Sequence, residues 1–275
     1  MKLAWRMYGK PSSGRPPVVV LHGLFGNAAQ WHHVARALST QGPVITVDWP
    51  NHGRSPHVDR MDYALMADGL RLLLDELAIG RVHLVGHSMG GKAGMVFASL
   101  FAPRVASLVV LDIAPVSYPD RYTPLVYAAL RVQLDQVHQR EDADIQLARY
   151  VSSAPVRAML LQNLARDALG WRWRNHWVGI AASMSSLLTF PSHPIHATAN
   201  TPVLFVRGDA SDHLTSEHDP WIHALFPHAR HAEIAGAGHW LHADQPAALQ
   251  RVLDDWLQRT TPCRPVVGAA LPAMV

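Results

Sequence analysis

The feature that most limits the fold of this chain is an alternation of short, mostly apolar runs with longer segments of helical periodicity. Runs bounded by proline or glycine, which are typical of buried strands, occur at Val18–Leu21, Val44–Val47 and Val82–Val85. The alternation resumes after residue 200 with Val203–Val206 and His231–Ile234. It predicts an α/β fold, in which a mainly parallel central sheet is flanked by helices.

The middle of the chain differs, because it shows helical patterns and no strand-like run. Thr123-Pro124 is typical of a helix N-terminus, and an amphipathic helix is predicted from Ser153 to Leu169, ended by Gly170. We therefore predict an all-helical cap inserted between strands of the sheet. The predicted division is 1–117 and 195–260 for the α/β core, 118–194 for the cap, and 261–275 for a C-terminal tail rich in proline and alanine.

Composition and charge exclude several classes of protein. The 275 residues are 49% hydrophobic and 16% charged, and the net charge of +3 comes without a basic run, so no nucleic-acid partner is expected. The single cysteine, Cys263, cannot form an intramolecular disulfide. No apolar stretch reaches the roughly 18 residues of a membrane span, and the N-terminus lacks the apolar segment of a signal peptide. We expect a cytoplasmic protein, with no prediction of its oligomeric state.

A Gly-x-Ser-x-Gly motif directly follows one of the predicted strands. Gly86-His87-Ser88-Met89-Gly90 lies between Val82–Val85 and a helix predicted from Gly90 to Phe101. This strand–turn–helix context is that of a nucleophile elbow, where small residues allow a sharp turn and the serine oxygen stands exposed at the end of the strand. Ser88 is therefore the predicted nucleophile.

A serine nucleophile also needs a general base and hydrogen-bond donors for an oxyanion. The loop Leu21–Gly26 follows the first strand, and we predict that the backbone amides of Leu24 and Met89 form the oxyanion hole. His22 is expected to hold this loop by hydrogen bonding. His239 follows the last predicted strand in a Gly-x-Gly-His-Trp sequence, and its place in chain order is that of the general base in this fold.

Three aspartates are candidates for the acid that orients the base. Asp112 ends the predicted strand that begins at Leu108, whereas Asp209 and Asp212 follow the strand Val203–Val206. All three come at the carboxyl ends of strands, and many hydrolases of this fold place the acid after the later strand. From the residues alone, all three aspartates stay open as the acid.

Five segments, taken in order, resemble the YbfF-like esterases of the α/β-hydrolase superfamily. They are Gly23-Leu24-Phe25-Gly26, Asn51-His52-Gly53-Arg54-Ser55, the run from Gly86 to Lys92, Asp112-Ile113-Ala114-Pro115 and Gly238-His239-Trp240. The resemblance covers most of residues 1–260 and is weakest in the predicted cap. It implies a helical cap over the serine and hydrolysis of carboxylic esters, with acyl thioesters as a further substrate class. It also implies that the acid is Asp112 and that Ser211 hydrogen-bonds the acid or the histidine.

The chain departs from the family at two places. Trp49-Pro50 stands where the family usually has arginine before Asn-His-Gly, so different contacts of that loop are expected. Asp209 and Asp212 lie in a segment that is non-acidic in the family. This second departure keeps Asp212 open as the alternative acid.

Five side chains near these motifs are predicted to line the substrate pocket. They are Phe25, His87, Ser211, Trp240 and, in the predicted cap, Trp177. For Trp177 an equally good interpretation is that it packs the cap onto the core. Two neighbours of the motifs receive no role in the chemistry: Lys92 is expected to form an ion pair at the surface, and His242 to face solvent.

Neither a metal ion nor a cofactor is predicted. The chain has no His-Glu-x-x-His, no Gly-x-Gly-x-x-Gly follows a strand, and His213, His218, His223 and His228 recur every five residues, which does not align ligands on a helix face. The sequence therefore predicts a cofactor-free serine carboxylesterase that acts on a small-molecule ester. Thioester hydrolysis, carbon–carbon hydrolysis, perhydrolysis and acyl transfer stay open as alternatives, as does a non-catalytic ligand receptor on the same fold.

Overall fold

The computed structural model describes residues 1–10, 14–191, 198 and 200–261. Its strands are β1 (Trp5–Tyr8), β2 (Val18–Leu21), β3 (Val44–Val47), β4 (Val82–His87), β5 (Val105–Leu111), β6 (Leu164–Asp167), β7 (Gly170–Trp173), β8 (Val203–Gly208) and β9 (Arg230–Ile234). Its α-helices are α1 (His32–Leu38), α2 (Tyr63–Glu76), α3 (Met89–Leu100), α4 (Thr123–Leu130), α5 (Arg140–Ala148), α6 (Ala154–Leu161), α7 (Trp177–Leu188), α8 (Asp219–Leu225), α9 (Leu241–Asp244) and α10 (Pro246–Thr260).

The central sheet has the strand order β1-β3-β2-β4-β5-β8-β9. β1 runs antiparallel to β3, and the other neighbouring pairs are parallel. β2 to β5 are buried along their whole length, as apolar strands covered on both faces are. The predicted α/β fold with a mainly parallel sheet is confirmed. β1 has no counterpart among the predicted strands, because this edge strand is half-buried or exposed and lacks an apolar run.

Alternate side chains of the central strands enter two cores, one on each face of the sheet. Val19 and Leu21 of β2 join the core against which α2, α3 and α8 pack, whereas Val18 and Val20 join the core against which α1 and α10 pack. This division follows from the period of two in a strand, which points successive side chains to opposite faces.

The strand order reverses beside β2, and this reversal positions the site. β3 lies on one side of β2, whereas β4, β5, β8 and β9 lie on the other. In open parallel sheets a crevice forms outside the carboxyl ends of the strands at such a reversal. The loops that leave β2 and β4 carry Leu24 and Ser88, so both residues lie at this crevice.

Between β5 and β8 the chain leaves the sheet and forms an insertion, defined here as residues 118–190. Its helices α4 to α7 share a core with β6 and β7, which form an antiparallel hairpin. The prediction of an all-helical cap is therefore wrong for residues 164–173. The helix predicted from Ser153 to Leu169 ends at Leu161.

The hairpin has a local and a tertiary cause. Asp167 and Gly170 pair across a two-residue turn, in which Asp167 Oδ1 accepts the amide of Leu169 and Gly170 has a φ of 115°. That φ favours glycine, which has no Cβ to clash. Just before the hairpin, the buried Asn163 side chain donates to the carbonyl oxygen of Phe25 at 2.6 Å. This contact with the core ends the helix, because tertiary interactions override the modest helix propensity of the segment.

Two predictions fall outside the described residues: the end of the cap at residue 194, and the C-terminal tail with Cys263, of which only Thr261 is described. The division into core, cap and tail therefore stays a prediction. Within the described residues, every helix is too short or too polar to cross a bilayer.

Candidate active site

Ser88 lies at the turn between β4 and α3. Its backbone has a φ of 52° and a ψ of −119°, a conformation that costs free energy and that functional turns retain. Glycine is required on both sides of the serine, because there is no room for a Cβ atom. A Cβ at Gly86 would lie 2.8 Å from the Cα of Gly91, and a Cβ at Gly90 would lie 2.6 Å from the carbonyl oxygen of His22. The motif therefore forms the predicted sharp turn.

A hydrogen-bonded chain runs from Ser88 to a buried carboxylate. Ser88 Oγ lies 3.1 Å from Nε2 of His239, and Nδ1 of His239 lies 2.8 Å from Oδ2 of Asp112. Asp112 is fully buried at the end of β5. Its Oδ1 accepts the amide of Gly208 at 3.3 Å, and its Oδ2 also accepts the hydroxyl of Ser211. These bonds orient the carboxylate towards the imidazole, and the imidazole is aligned with the serine.

The two later aspartates have other partners. Oδ2 of Asp212 accepts a hydrogen bond from Arg121 at 2.7 Å, and both side chains are 64% exposed. Oδ1 of Asp209 accepts the amide of Gly236 at 2.8 Å. Among the described residues, neither carboxylate bonds the imidazole of His239, so the geometry leaves Asp212 outside the chain of hydrogen bonds.

The loop after β2 approaches Ser88 closely. A Cβ at Gly23 would lie 3.2 Å from the Cβ of Ser88, so Leu24 follows a residue in contact with the serine, and Met89 is the next residue of the chain. Within the described residues, neither the Leu24 nor the Met89 amide has a hydrogen-bond acceptor. The first amide of an α-helix has no partner inside the helix, which accounts for Met89. Both donors are therefore free to bind an oxyanion.

Two buried histidines hold this loop. His22 Nε2 accepts the amide of Trp49 at 3.0 Å, and its Nδ1 lies 2.8 Å from the carbonyl oxygen of Gly23. His52 Nε2 accepts the amide of Phe25 at 3.3 Å. Burial lowers the pKa of His22 to about 4 and that of His52 to about 3. Both rings are therefore neutral at neutral pH, which an accepting Nε2 requires, and His22 contacts the loop as the sequence analysis expects.

A second imidazole lies against the ring of His239. His213 stacks on it with 3.7 Å between ring centroids and 20° between planes. His213 Nε2 lies 2.8 Å from the hydroxyl of Tyr122, and the hydroxyl of Tyr118 donates to the His213 carbonyl oxygen. Burial lowers the pKa of His213 to about 4, so this ring is uncharged at neutral pH. The role of these three residues could not be predicted from the sequence, because stacking between distant segments leaves no local pattern.

Asp112, His213 and His239 also place possible metal-ligand atoms within 4.8 Å of one another. A metal ion bound there would compete for the Oδ2 and Nδ1 atoms that already bond each other. Both atoms are already engaged in the hydrogen bond between His239 and Asp112. The expectation of a metal-free site stays a prediction.

Comparison with known proteins fits this geometry. Residues 16–246 match the family described as alpha/beta hydrolase fold. The chain belongs to the α/β-hydrolase family. Its seven-stranded, mostly parallel sheet and its serine at a strand–helix turn are what that family predicts.

Within this family, the chain is similar to three proteins that are named or described as a lipase or an esterase. It is 39% identical to a protein of Xenopus laevis named sn-1-specific diacylglycerol lipase ABHD11, over 84% of this chain and 76% of the relative. It is 33% identical to Esterase YbfF of Escherichia coli strain K12, over 88% and 92% of the two chains. A solved structure described as a marine microorganism esterase is 33% identical, has a TM-score of 0.87 and covers 92% of this chain and 98% of its own. The resemblance to YbfF-like esterases is confirmed.

The histidines beside the site of this α/β hydrolase have supporting positions. His87 is buried and donates from Nε2 to the carbonyl oxygen of His239 at 2.7 Å, and its place in the substrate pocket stays a prediction. The prediction that His242 faces solvent is wrong, because its ring stacks on Trp31 with 4.5 Å between centroids. Trp240 is half-buried, with its ring centroid 6.5 Å from that of His239, and its contact with substrate stays a prediction.

Phe25 and Trp177 contact each other, with 5.3 Å between ring centroids. Both are buried and belong to the core of the insertion, although Phe25 comes from the loop after β2. This pair joins the insertion to the α/β core. The contact favours the interpretation that Trp177 packs the insertion onto the core.

Lys92, expected at the surface, is buried in this α/β hydrolase, with 2% of its area exposed. Its Nζ donates to the carbonyl oxygens of Leu188 at 3.0 Å and Thr189 at 3.3 Å, and lies 4.8 Å from the ring centroid of Tyr118. Lys92 therefore ties α3, the helix after Ser88, to the end of α7. None of the described carboxylates pairs with it, and burial lowers its pKa to about 7.

The free energy of unfolding is expected to depend on Lys92 above pH 7. Folded Lys92 loses its proton near pH 7, whereas lysine in the unfolded chain keeps it to about pH 10.4. Between these values the unfolded state binds more protons, so stability rises with pH by up to about 1.4 kcal/mol per unit, and this contribution is lost as the pH falls to 7. Urea unfolding from pH 6 to 9 should therefore give a difference between wild type and Lys92→Met that is flat below pH 7 and grows in favour of wild type above it.

The exposed Lys10 offers a matched control for this measurement. A Lys10→Met variant should show no such slope against wild type. A Lys92→Met difference that stays constant from pH 6 to 9 would contradict the prediction.

Proposed function

We propose that this α/β hydrolase is a serine carboxylesterase in which Ser88, His239 and Asp112 form a catalytic triad. The chain is a hydrolase acting on ester bonds, as relatives named esterase and diacylglycerol lipase support. The observation that carries the finer proposal is the chain of hydrogen bonds from Ser88 Oγ through His239 to Asp112, with distances of 3.1 and 2.8 Å. A nucleophile, a base and an acid that orients the base are what activation of a serine requires.

In the first step, Ser88 Oγ forms a bond to the acyl carbonyl carbon while Nε2 of His239 takes the serine proton. The carbonyl oxygen becomes an oxyanion and accepts hydrogen bonds from the amides of Leu24 and Met89, each of which stabilises the transition state by about 3 kcal/mol. Asp112 holds His239 in the tautomer with hydrogen on Nδ1 and stabilises the imidazolium. The ester bond then breaks, the alcohol leaves with the proton from His239, and the acyl group stays on Ser88.

In the second step, Nε2 of His239 takes a proton from water as the water oxygen attacks the acyl-Ser88 carbonyl. Collapse releases the carboxylic acid and returns the proton to Ser88 Oγ. His213 and His87 support both steps, because one stacks on the imidazole of His239 and the other bonds its carbonyl oxygen. These contacts restrict the ring to the orientation that reaches the serine.

The substrate class proposed is a carboxylic ester of a small molecule. Acylglycerols are a second candidate, because a relative of 39% identity is named a diacylglycerol lipase. Acyl thioesters would react through the same acyl-serine, so they are a variant of the same chemistry. A non-catalytic receptor is disfavoured, since ligand binding alone does not require the hydrogen bond between Ser88 and His239. We also propose that the protein is located in the cytoplasm.

Turnover of p-nitrophenyl esters from acetyl to palmitoyl, measured beside labelling with a fluorophosphonate, tests the proposal. We expect hydrolysis with a preferred acyl length and a covalent adduct of about one phosphonate per chain, found on the peptide that contains Ser88. A thioester of the preferred acyl group, assayed in parallel, ranks the two substrate classes. Folded protein that neither hydrolyses any ester nor takes up the phosphonate would overturn the proposal in favour of a receptor.

A further inference from the structure

A cavity of about 320 Å³ lies where the loop after β3 meets the hairpin of the insertion. Its walls are formed by Gly53, Arg54, Ser55 and His57 of the loop and by Arg172 and Arg174 of the hairpin segment. None of these residues belongs to the hydrogen-bonded chain of Ser88, His239 and Asp112. The cavity is therefore separate from the hydrogen-bonded chain at Ser88.

The cavity carries an excess of positive charge. Arg172 forms an ion pair with Asp167 at 2.6 Å. Among the described residues, no carboxylate pairs with the guanidinium group of Arg54 or of Arg174. Like charges that share one cavity repel each other, so an anion between them would be bound favourably.

The loop side of the cavity is held in place by Asp48 and by aromatic stacking. The Asp48 carboxylate accepts two backbone amides, one of them that of Arg54 at 3.0 Å, and the Asp48 carbonyl oxygen accepts the hydroxyl of Ser55 at 2.5 Å. His57 stacks on His176 with 4.6 Å between centroids and 5° between planes. The charge of Asp48 is thus directed at backbone N–H groups, and it pairs with neither free guanidinium group.

Two arginines of the hairpin segment line the cavity: Arg172, in β7, and Arg174, just after the strand ends. Trp173, between them, packs on Trp177 with 5.6 Å between ring centroids. The amide of Arg174 donates to the carbonyl oxygen of Asn163 at 2.8 Å, which fixes the backbone at the end of the strand.

We propose that this cavity binds the phosphate group of a small phosphate ester. A guanidinium group forms paired, charge-assisted hydrogen bonds with phosphate oxygens, and a phosphate monoester supplies three acceptor oxygens and close to two negative charges at neutral pH. The volume leaves room for the organic group that carries the phosphate. That group is either a free small molecule or the lipid part of a phospholipid whose headgroup enters the cavity. The arms of the test distinguish these two sources.

Calorimetric titration of the full chain with glycerol 3-phosphate at low ionic strength tests the proposal. Wild type should bind it saturably, and Arg54→Gln/Arg174→Gln should bind it about tenfold more weakly or worse, because two charge-assisted contacts are lost. Arg36→Gln/Arg149→Gln is the matched control, since it removes two exposed arginines away from the cavity and changes the net charge equally. Its affinity should stay within about twofold of wild type, as expected for distant, screened charges.

Co-sedimentation with phosphatidylcholine vesicles, with and without phosphatidic acid, identifies the source of the phosphate. Binding to the free ester, to the phosphatidic acid vesicles or to both supports the proposal if the Arg54/Arg174 pair is required and the control pair is not. An equal loss in both double variants, or no binding of either probe by wild type, overturns it. Unchanged circular dichroism and ester turnover in both variants show that the fold is intact.

This proposal does not depend on the proposed esterase activity. A Ser88→Ala variant should bind glycerol 3-phosphate as wild type does, because the serine does not line the cavity. Failure of one proposal therefore leaves the other standing.

Discussion

Asp112→Asn is expected to lower kcat for ester hydrolysis by about 10⁴-fold, the loss that accompanies the wrong histidine tautomer in a triad. Oδ2 of Asp112 accepts the Nδ1–H of His239 at 2.8 Å, which leaves Nε2 free to take the Ser88 proton. An asparagine that presents its NH₂ group to Nδ1 would favour hydrogen on Nε2, and the base would be blocked. The variant is nearly isosteric, so the measurement is kcat with the best p-nitrophenyl ester, beside thermal unfolding to show an intact fold.

Asp212→Asn is the matched control, because it makes the same chemical change at the alternative acid. Asp212 is 64% exposed and pairs with Arg121, and such a surface ion pair contributes little to stability. Oδ1 of Asp212 also lies 3.1 Å from Nδ1 of His213, which stacks on the base, so its kcat should fall by a few fold at most, far less than that of Asp112→Asn, since Asp212 itself does not bond the base. A large loss in Asp212→Asn with little loss in Asp112→Asn would assign the acid to Asp212.

The choice between Asp112 and Asp212 cannot be made from the local sequence pattern. β5 and β8 are neighbours in the sheet, so their carboxyl ends open to the same edge and both Asp112 and Asp212 come close to the base. What separates the two carboxylates is burial, which depends on packing by distant parts of the chain. The motif resemblance implied Asp112, whereas the residues alone left the choice open.

The elbow could be predicted from sequence because its requirements act within five residues. A Cβ at Gly86 or Gly90 would meet the backbone of Gly91 or His22. The spacing of the two glycines therefore predicts the sharp turn at Ser88. His239 could be placed by chain order, since the fold has one order of strands. In these two cases the sequence suffices, because steric requirements predict the elbow and chain order predicts the base.

Contacts between segments that are distant in the chain cannot be predicted from a local sequence pattern. Lys92 is buried because the end of α7 covers α3 and offers the carbonyl oxygens of Leu188 and Thr189, which are nearly a hundred residues away in the chain. His213 acquires its position by stacking on His239. The hairpin forms because the buried Asn163 bonds the loop after β2. Each of these contacts is decided by tertiary packing, which a single sequence does not display.

Ser88→Ala is expected to lower kcat by on the order of 10⁶-fold, the loss typical when the nucleophile of a triad is removed. Without Oγ no acyl-enzyme can form, and His239 can only activate water directly. The residual rate should come from the amides of Leu24 and Met89 and from binding, which persist in the variant. The measurement is kcat with the preferred ester, together with loss of fluorophosphonate labelling. Ser152→Ala, which changes an exposed serine, should keep both the turnover and the label.

The variant should fold normally, so that its inactivity can be assigned to chemistry. Alanine at position 88 has to adopt the same φ of 52° as serine, so the backbone strain is unchanged. The hydroxyl that is removed bonds His239, and loss of one such bond costs about 1 kcal/mol of unfolding free energy. Turnover by Ser88→Ala at the wild-type rate would exclude the acyl-serine mechanism. The membership of the α/β-hydrolase family would be unaffected, because it rests on the match over residues 16–246 and not on the chemistry of one side chain.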